Sequence, residues 1–221
     1  LVGHSEGGLV ASLAATRDTG AVAFVVLLAP PAVPADSLLP AQNRAIGEAA
    51  GLPEAVIREH TRVTRRILSI LRNEPDREEA LAAIHRAVED AASGLPGRHR
   101  RTFRQLMARS PAAKTAYARM TAPRFRSYLA LDPDSVHARL GVPVLALYGG
   151  RDLQVLPRQN LPALAAQLAR APTDDVALRL LPGLNHLLQP AGTGLPSEYG
   201  RIEVTTAPEA LRTLTDWIGA R

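Results

Sequence analysis

The 221-residue sequence contains no cysteine. That excludes disulfides, a thiolate nucleophile and cysteine-ligated zinc within it, and leaves the redox compartment undecided. Aromatic residues make up 4%, too few for the base-stacking platforms that single-stranded nucleic-acid binders use. Long hydrophobic runs are missing too. The best of them, Ala21 to Ala32, is shorter than a membrane-spanning helix requires and reads as a buried strand. No initiator Met or signal-like start is present, which leaves export and compartment open. Lysine occurs once, at Lys114, so the net charge of +5 rests on arginine.

Apolar residues at 46% and charged residues at 21% fit a globular chain with one sizeable core and room for an inserted subdomain. The positive charge is local. From Arg98 to Arg126, a stretch that includes Arg109 and Lys114, no Asp or Glu interrupts the basic residues. This reads as a solvated helical face rather than a nucleic-acid site, with attraction for anionic partners as the alternative.

The strongest motif lies at the start, in Gly3-His4-Ser5-Glu6-Gly7-Gly8. In G-x-S-x-G the serine occupies a tight strand-to-helix turn that strains its backbone and holds its hydroxyl clear, near the positive end of a helix. Gly3 and Gly7 are expected where side chains would collide with the turn. Ser5 is therefore the candidate nucleophile. The backbone N–H of Glu6 is the candidate oxyanion donor, while its side chain suits the first helical turn. A second donor is expected outside this sequence.

The rest of the chain alternates in character. Leu1 and Val2 read as the end of a strand, Glu6 to Arg17 as a helix with a small face of Gly7, Gly8, Ala11 and Ala14, and Val22 to Ala29 as a doubly buried parallel strand stopped by Pro30-Pro31. Helical spacing dominates from about Val33 to His137, punctuated at Asn73-Glu74-Pro75 and Gly94-Leu95-Pro96-Gly97. So long a helical stretch between two buried strands is an insertion, not a crossover. Strand character returns at Val142–Tyr148 and Val176–Leu181, with helices over Leu156–Ala171 and Pro208–Ile218. The expected organisation is an α/β core over residues 1–32 and 139–221, with a helical cap over 33–138.

A serine needs a neutral imidazole to take its proton and a carboxylate to orient that imidazole. His4 is adjacent to Ser5 and its ring should point away from the hydroxyl. His60, His85 and His99 fall among arginines and read as surface residues, and His137 leads back to the core. His186 differs, because it follows a strand and a Pro182-Gly183 turn. Asp152 follows a strand and a Gly-Gly turn, where loops of a parallel sheet assemble sites. Asp36 is its rival, and Asp174 and Asp175 read as turn residues.

Four ordered segments carry a family resemblance: GHSEGG at 3–8, VLLAPPAVPADSLL at 26–39, PVLALYGGRDLQVLP at 143–157 and LPGLNHLLQPAGTGLPSEYGRIEVTTAPEAL at 181–211. The chain resembles the C-terminal half of a bacterial α/β-hydrolase of the serine esterase and S33/S9-peptidase-like group. The resemblance implies an α/β-hydrolase fold that lacks its first strands, with an inserted cap. It assigns Ser5, Asp152 and His186 as nucleophile, acid and base. It implies hydrolysis of a small-molecule carboxylic ester through an acyl-enzyme, without metal or organic cofactor. Pro30-Pro31-Ala32 departs from the Gly-Pro-Gly frequent in relatives, which bears on the cap entrance. An aminopeptidase or amidase, a thioesterase, a lactonase and a noncatalytic binding scaffold are the alternatives. Phe103, Leu106, Met107, Phe125 and Tyr128 are candidates to line the pocket, with Glu198 and Tyr199 at its edge.

Overall fold

The computed structural model describes residues 1–17, 20–107 and 111–221, so Arg109 of the basic run lies outside the described residues. In chain order the elements are β1 (Val2–His4), α1 (Glu6–Arg17), β2 (Val25–Leu28), α2 (Ala35–Ala49), α3 (Glu54–Asn73), α4 (Arg77–Ser93), α5 (Gly97–Met107), α6 (Pro111–Met120), α7 (Pro123–Ala130), α8 (Pro133–His137), β3 (Val144–Gly149), α9 (Pro157–Leu168), β4 (Val176–Leu181), a 3₁₀ helix (Pro196–Arg201) and α10 (Pro208–Gly219). Residues 1–34 with 132–221 form one compact unit, and residues 35–131 form another.

The first unit is built on a sheet of order β1-β2-β3-β4, parallel throughout. This is the strand–elbow–helix order of an α/β-hydrolase fold. β2 and β3 are central, and their residues Val25, Val26, Leu27, Val144, Ala146 and Leu147 are fully enclosed, as a strand covered on both faces requires. β2 is shorter than the apolar run that contains it. Its ladder to β3 opens with the Val25 N–H on the Pro143 carbonyl, and proline has no N–H with which to extend the pairing. On α1 the buried small face is Gly8, Ala11, Ser12 and Ala15, whose spacing keeps one side of the helix. Ala14, expected on that face, is one residue out of phase and exposed.

Because every strand is parallel, the ends that carry Ser5, Ala29, Gly150 and Pro182 lie along one edge of the sheet. Ser5 and Ala29 follow the paired residues His4 and Leu28, and both take left-handed backbone, at φ 54° and 49°. For Ala29 that conformation is doubly unfavourable, since it carries a Cβ and precedes proline. It is held by its N–H on the Leu147 carbonyl, while the Tyr148 hydroxyl donates to the Pro30 carbonyl at 2.8 Å. Beyond, the Ala32 N–H donates to Asn160 Oδ1 at 2.9 Å and its carbonyl accepts from Gln167 Nε2 at 2.7 Å. Gln167 in turn meets Nδ1 of the buried His137 at 2.9 Å. The chain leaving β2 is thus fixed by buried amides on α9.

The second unit is helical. Val63, Ile67, Leu71, Ile84, Val88 and Phe103 from α3, α4 and α5 form its core, at the helical spacing of the sequence. The breaks at Asn73 and Gly94 end α3 and α4, and Asp76 caps α4 by accepting from the N–H groups of Glu78 and Glu79. Several arginines of the basic run are engaged: Arg104 pairs with Glu89 at 2.8 Å, Arg126 donates to the Leu71 carbonyl, and Arg100 to the Leu95 carbonyl. Among the described residues no helix is long and apolar enough to cross a membrane.

Candidate active site

The elbow is tight on one side only. A Cβ on Gly3 would lie 2.1 Å from the Gly7 carbonyl oxygen, so no larger residue fits there. Gly7 has open space where a Cβ would stand, contrary to the sequence expectation. The second close approach belongs to Gly8, whose Cβ would come 3.1 Å from that of Pro30. Ser5 is pinned by its N–H on the Leu28 carbonyl at 2.8 Å and by the Gly8 N–H on its own carbonyl at 2.9 Å. These bonds hold a non-glycine residue at positive φ where β1 turns into α1.

Asp152 and His186 come from loops after β3 and β4. The β4 loop has to double back over the end of β3, and two glycines leave room for it. A Cβ on Gly149 would sit 2.4 Å from the carbonyl oxygens of Leu184 and Asn185, and one on Gly150 would sit 2.5 Å from that of Pro182. The loops are then stitched together by the Gly150 N–H on the Leu181 carbonyl and the Arg151 N–H on the Leu184 carbonyl, both at 2.8 Å.

The Asp152 carboxylate is 2% exposed and fully bonded. Its Oδ1 accepts from the N–H groups of Gln154 and Val155 at 2.7 and 2.9 Å, and its Oδ2 lies 2.7 Å from His186 Nδ1. A carboxylate only accepts, so the proton sits on Nδ1 and Nε2 is left as the basic nitrogen.

His186 is held at the backbone as well. Its carbonyl accepts from His4 Nε2 at 2.9 Å, while the Tyr199 hydroxyl accepts from Nε2 of the Gln154 side chain at 3.0 Å. Next to it, buried Asn185 accepts the N–H groups of Leu187 and Gln189 at 2.9 and 3.0 Å and donates to the Gln189 side chain. This clamp closes a turn in which Leu188 takes φ 57°.

His4 was expected to point away from the neighbouring hydroxyl. Its ring packs on that of His186, with centroids 4.7 Å apart. Desolvation lowers the His4 pKa; its bond to the His186 carbonyl and the Asp152 charge oppose the shift, whereas His186 itself adds to it. His4 is therefore a neutral donor beside His186. The structure joins Asp152 and His186 directly and sets His4, the residue before Ser5, against His186.

The remaining candidates have other partners. Asp36 opens α2 in the helical unit and pairs with Arg72 at 2.8 Å. Asp175 pairs with Arg221 at 2.5 Å. Glu198 accepts from Gly194 N–H at 2.6 Å and from the N–H and hydroxyl of Thr193, fixing the loop before the 3₁₀ helix. His85 is exposed, but His60 is largely enclosed, and burial pushes its pKa down to about 4. Phe103 is core, while Leu106, Met107 and Phe125 border a cavity within the helical unit. Among the described residues no cluster of three or more His, Asp or Glu is arranged to hold a metal. Asn185, Tyr199 as a partner of the Gln154 side chain and His4 as a contact of His186 are what sequence reasoning missed around these residues. The only signal was their proximity in sequence to Ser5 and His186.

No protein-family model and no curated protein matches the chain. Similar solved structures include an esterase from Rhodococcus sp., 24% identical over 98% of this chain and 64% of its own, with a TM-score of 0.39. An N-formylmaleamic acid deformylase from Pseudomonas putida is 13% identical, covering 84% and 59%, with a TM-score of 0.40. A proline iminopeptidase from Mycobacterium smegmatis is 16% identical, covering 98% and 63%, with a TM-score of 0.41. The chain spans about 59% of the length of the deformylase and 64% of that of the esterase.

Proposed function

We propose that the chain carries the catalytic residues of a serine hydrolase acting on carboxylic esters, with Ser5 as nucleophile, His186 as base and Asp152 as the acid behind it. The observation that carries this reading is the 2.7 Å contact between His186 Nδ1 and a buried Asp152 oxygen, set on the same sheet edge as a serine at positive φ. Structural packing alone has no use for a desolvated carboxylate aimed at an imidazole beside a strained serine.

In acylation, His186 Nε2 takes the Ser5 proton as Oγ bonds to the substrate carbonyl carbon. The carbonyl oxygen becomes an oxyanion, for which the N–H of Glu6, at the start of α1, lies at the positive end of the helix. The imidazolium is stabilised by Asp152, whose other oxygen is already held by two N–H groups. His186 then passes the proton to the departing alkoxide, leaving an acyl group on Ser5. Water, deprotonated by the same nitrogen, attacks the acyl carbon; the acid leaves and Ser5 regains its proton.

Treatment with a fluorophosphonate followed by mass spectrometry tests the reading. Mass should be added at Ser5, with Ser5→Ala and His186→Ala both abolishing it. A p-nitrophenyl ester series set against aminoacyl anilides then reads ester over amide preference. An unlabelled Ser5 in folded protein would remove the nucleophile assignment.

A further inference from the structure

The helical unit contains a cavity of about 330 Å³ bordered by α2, α3, α5, α6 and α7. We propose that it is a binding site in its own right, for a neutral and mainly apolar small molecule with one hydrogen-bonding end. The inference uses no atom of the proposed hydrolytic site and stands apart from that reading.

The lining divides by chemistry. Leu106, Met107, Met120 and Phe125 supply apolar walls from α5, α6 and α7. The polar groups gather on α2 and α3, where Asn43 Nδ2 donates to Thr64 Oγ1 at 2.8 Å and Thr64 Oγ1 donates to the His60 carbonyl at 2.9 Å. The His60 ring stands one helical turn before Thr64 on the same wall. Among the described residues no Asp, Glu, Lys or Arg borders the cavity. A charged ligand would lose its hydration there with no opposite charge to offset the loss.

His60 adds the polar contact. Its ring has no hydrogen bond to protein among the described residues, and burial holds it neutral at ordinary pH, with one donor and one acceptor nitrogen. A ligand hydroxyl or carbonyl would give this partly enclosed ring a hydrogen-bond partner. Volume sets the body of the ligand. A dry cavity of about 150 Å³ suits one benzene ring, so this one suits two fused rings or a chain of similar bulk.

2-Naphthol is the probe, titrated calorimetrically against the whole protein, with naphthalene and 2-naphthalenesulfonate as comparisons. 2-Naphthol should saturate at one site, and the sulfonate should bind at least about tenfold more weakly. Ala116 borders the cavity yet is exposed, so Ala116→Trp should obstruct it without a loss of core packing. That variant should weaken 2-naphthol at least about tenfold with an unchanged melting temperature. His60→Leu should weaken 2-naphthol about fivefold and leave naphthalene unchanged. No saturable binding, equal binding of the sulfonate, or wild-type affinity in both variants would overturn the proposal. Loss of Ser5 labelling would not touch it.

Discussion

The two units solve the problem of buried polar groups in opposite ways. In the helical unit the buried polar side chains are threonines, Thr61, Thr64 and Thr121, whose hydroxyls turn back onto carbonyls of their own helices. In the α/β unit Ser12 does the same, bonding the Gly8 carbonyl, but the others are Asp152, His186, Asn185, Gln189, His137, Gln167 and Asn160, and most of these reach across to other segments. A helix bundle satisfies its backbone internally and needs only apolar contacts between helices. A parallel sheet leaves its strand ends to loops, whose N–H and C=O groups must find partners elsewhere. The polar network of the α/β unit is therefore concentrated where the loops meet, and the candidate site is part of that network.

The largest expected effect comes from changing one member while keeping its shape. Asp152→Asn retains an oxygen for the Gln154 and Val155 N–H groups but favours the wrong tautomer of His186. If the proposed hydrolysis holds, ester turnover should fall about 10⁴-fold, or about 5.5 kcal/mol in the barrier, with little change in melting temperature. A variant that loses turnover and melts early in parallel would instead make Asp152 a structural residue.

Stability distinguishes the units next. Asn185→Ala strips partners from the Leu187 and Gln189 N–H groups and from the Gln189 side chain, and should cost about 2–4 kcal/mol in denaturant unfolding. Thr61→Val in the helical unit removes only a back-bond to Ile57 within one helix and should cost less than about 1 kcal/mol. Equal losses at the two positions would erase the contrast between the networks.

Much of this was readable in advance, and the exceptions share a cause. The span of α1, β4 and the need for Gly3 follow from local spacing and turn sterics. That Asp152 and His186 meet follows from two loops leaving one edge of a parallel sheet; their chemical roles do not. The room at Gly7 and the exposure of Ala14 depend on which neighbours pack there, which the pattern does not state. His60 misled because arginines surround it at 58, 62, 65 and 66. Yet it shares a helix face with Thr64 and Ile67 at i, i+4 and i+7, and that spacing pointed inward. His4 holds His186 only because the β4 loop turns back across β3, a path set by Gly149 and Gly150 together.

Acid should weaken both units through their enclosed histidines. Burial lowers the pKa of His137 in one and His60 in the other. Near pH 6.5 and below, the unfolded chain takes up protons that the folded chain refuses, so it binds more protons and stability falls as pH falls. Each group contributes a slope of up to about 1.4 kcal/mol per pH unit. For His60 this runs from about 6.5 down to its folded value of about 4. Unfolding measured between pH 7.5 and 5 should steepen below 6.5, and His60→Leu and His137→Leu should each flatten it. A profile unaffected by either change would mean that water reaches both rings.

The smallest effect tests whether His186 needs its backbone held as well as its ring. His4→Leu removes the donor to the His186 carbonyl, and Tyr199→Phe removes the acceptor for the side chain of Gln154, whose backbone N–H holds Asp152 Oδ1. The Asp152 contact survives both changes, so each should slow Ser5 labelling by about fivefold to tenfold, about one hydrogen bond's worth. His4→Gln, which can place an amide N–H near the lost Nε2, should recover most of the rate. Combining His4→Leu with Tyr199→Phe should cost more than the sum of the separate losses, because the loops that carry the imidazole and its carboxylate are then both loosened. Simple additivity would mean that the Asp152 bond alone keeps the ring in place.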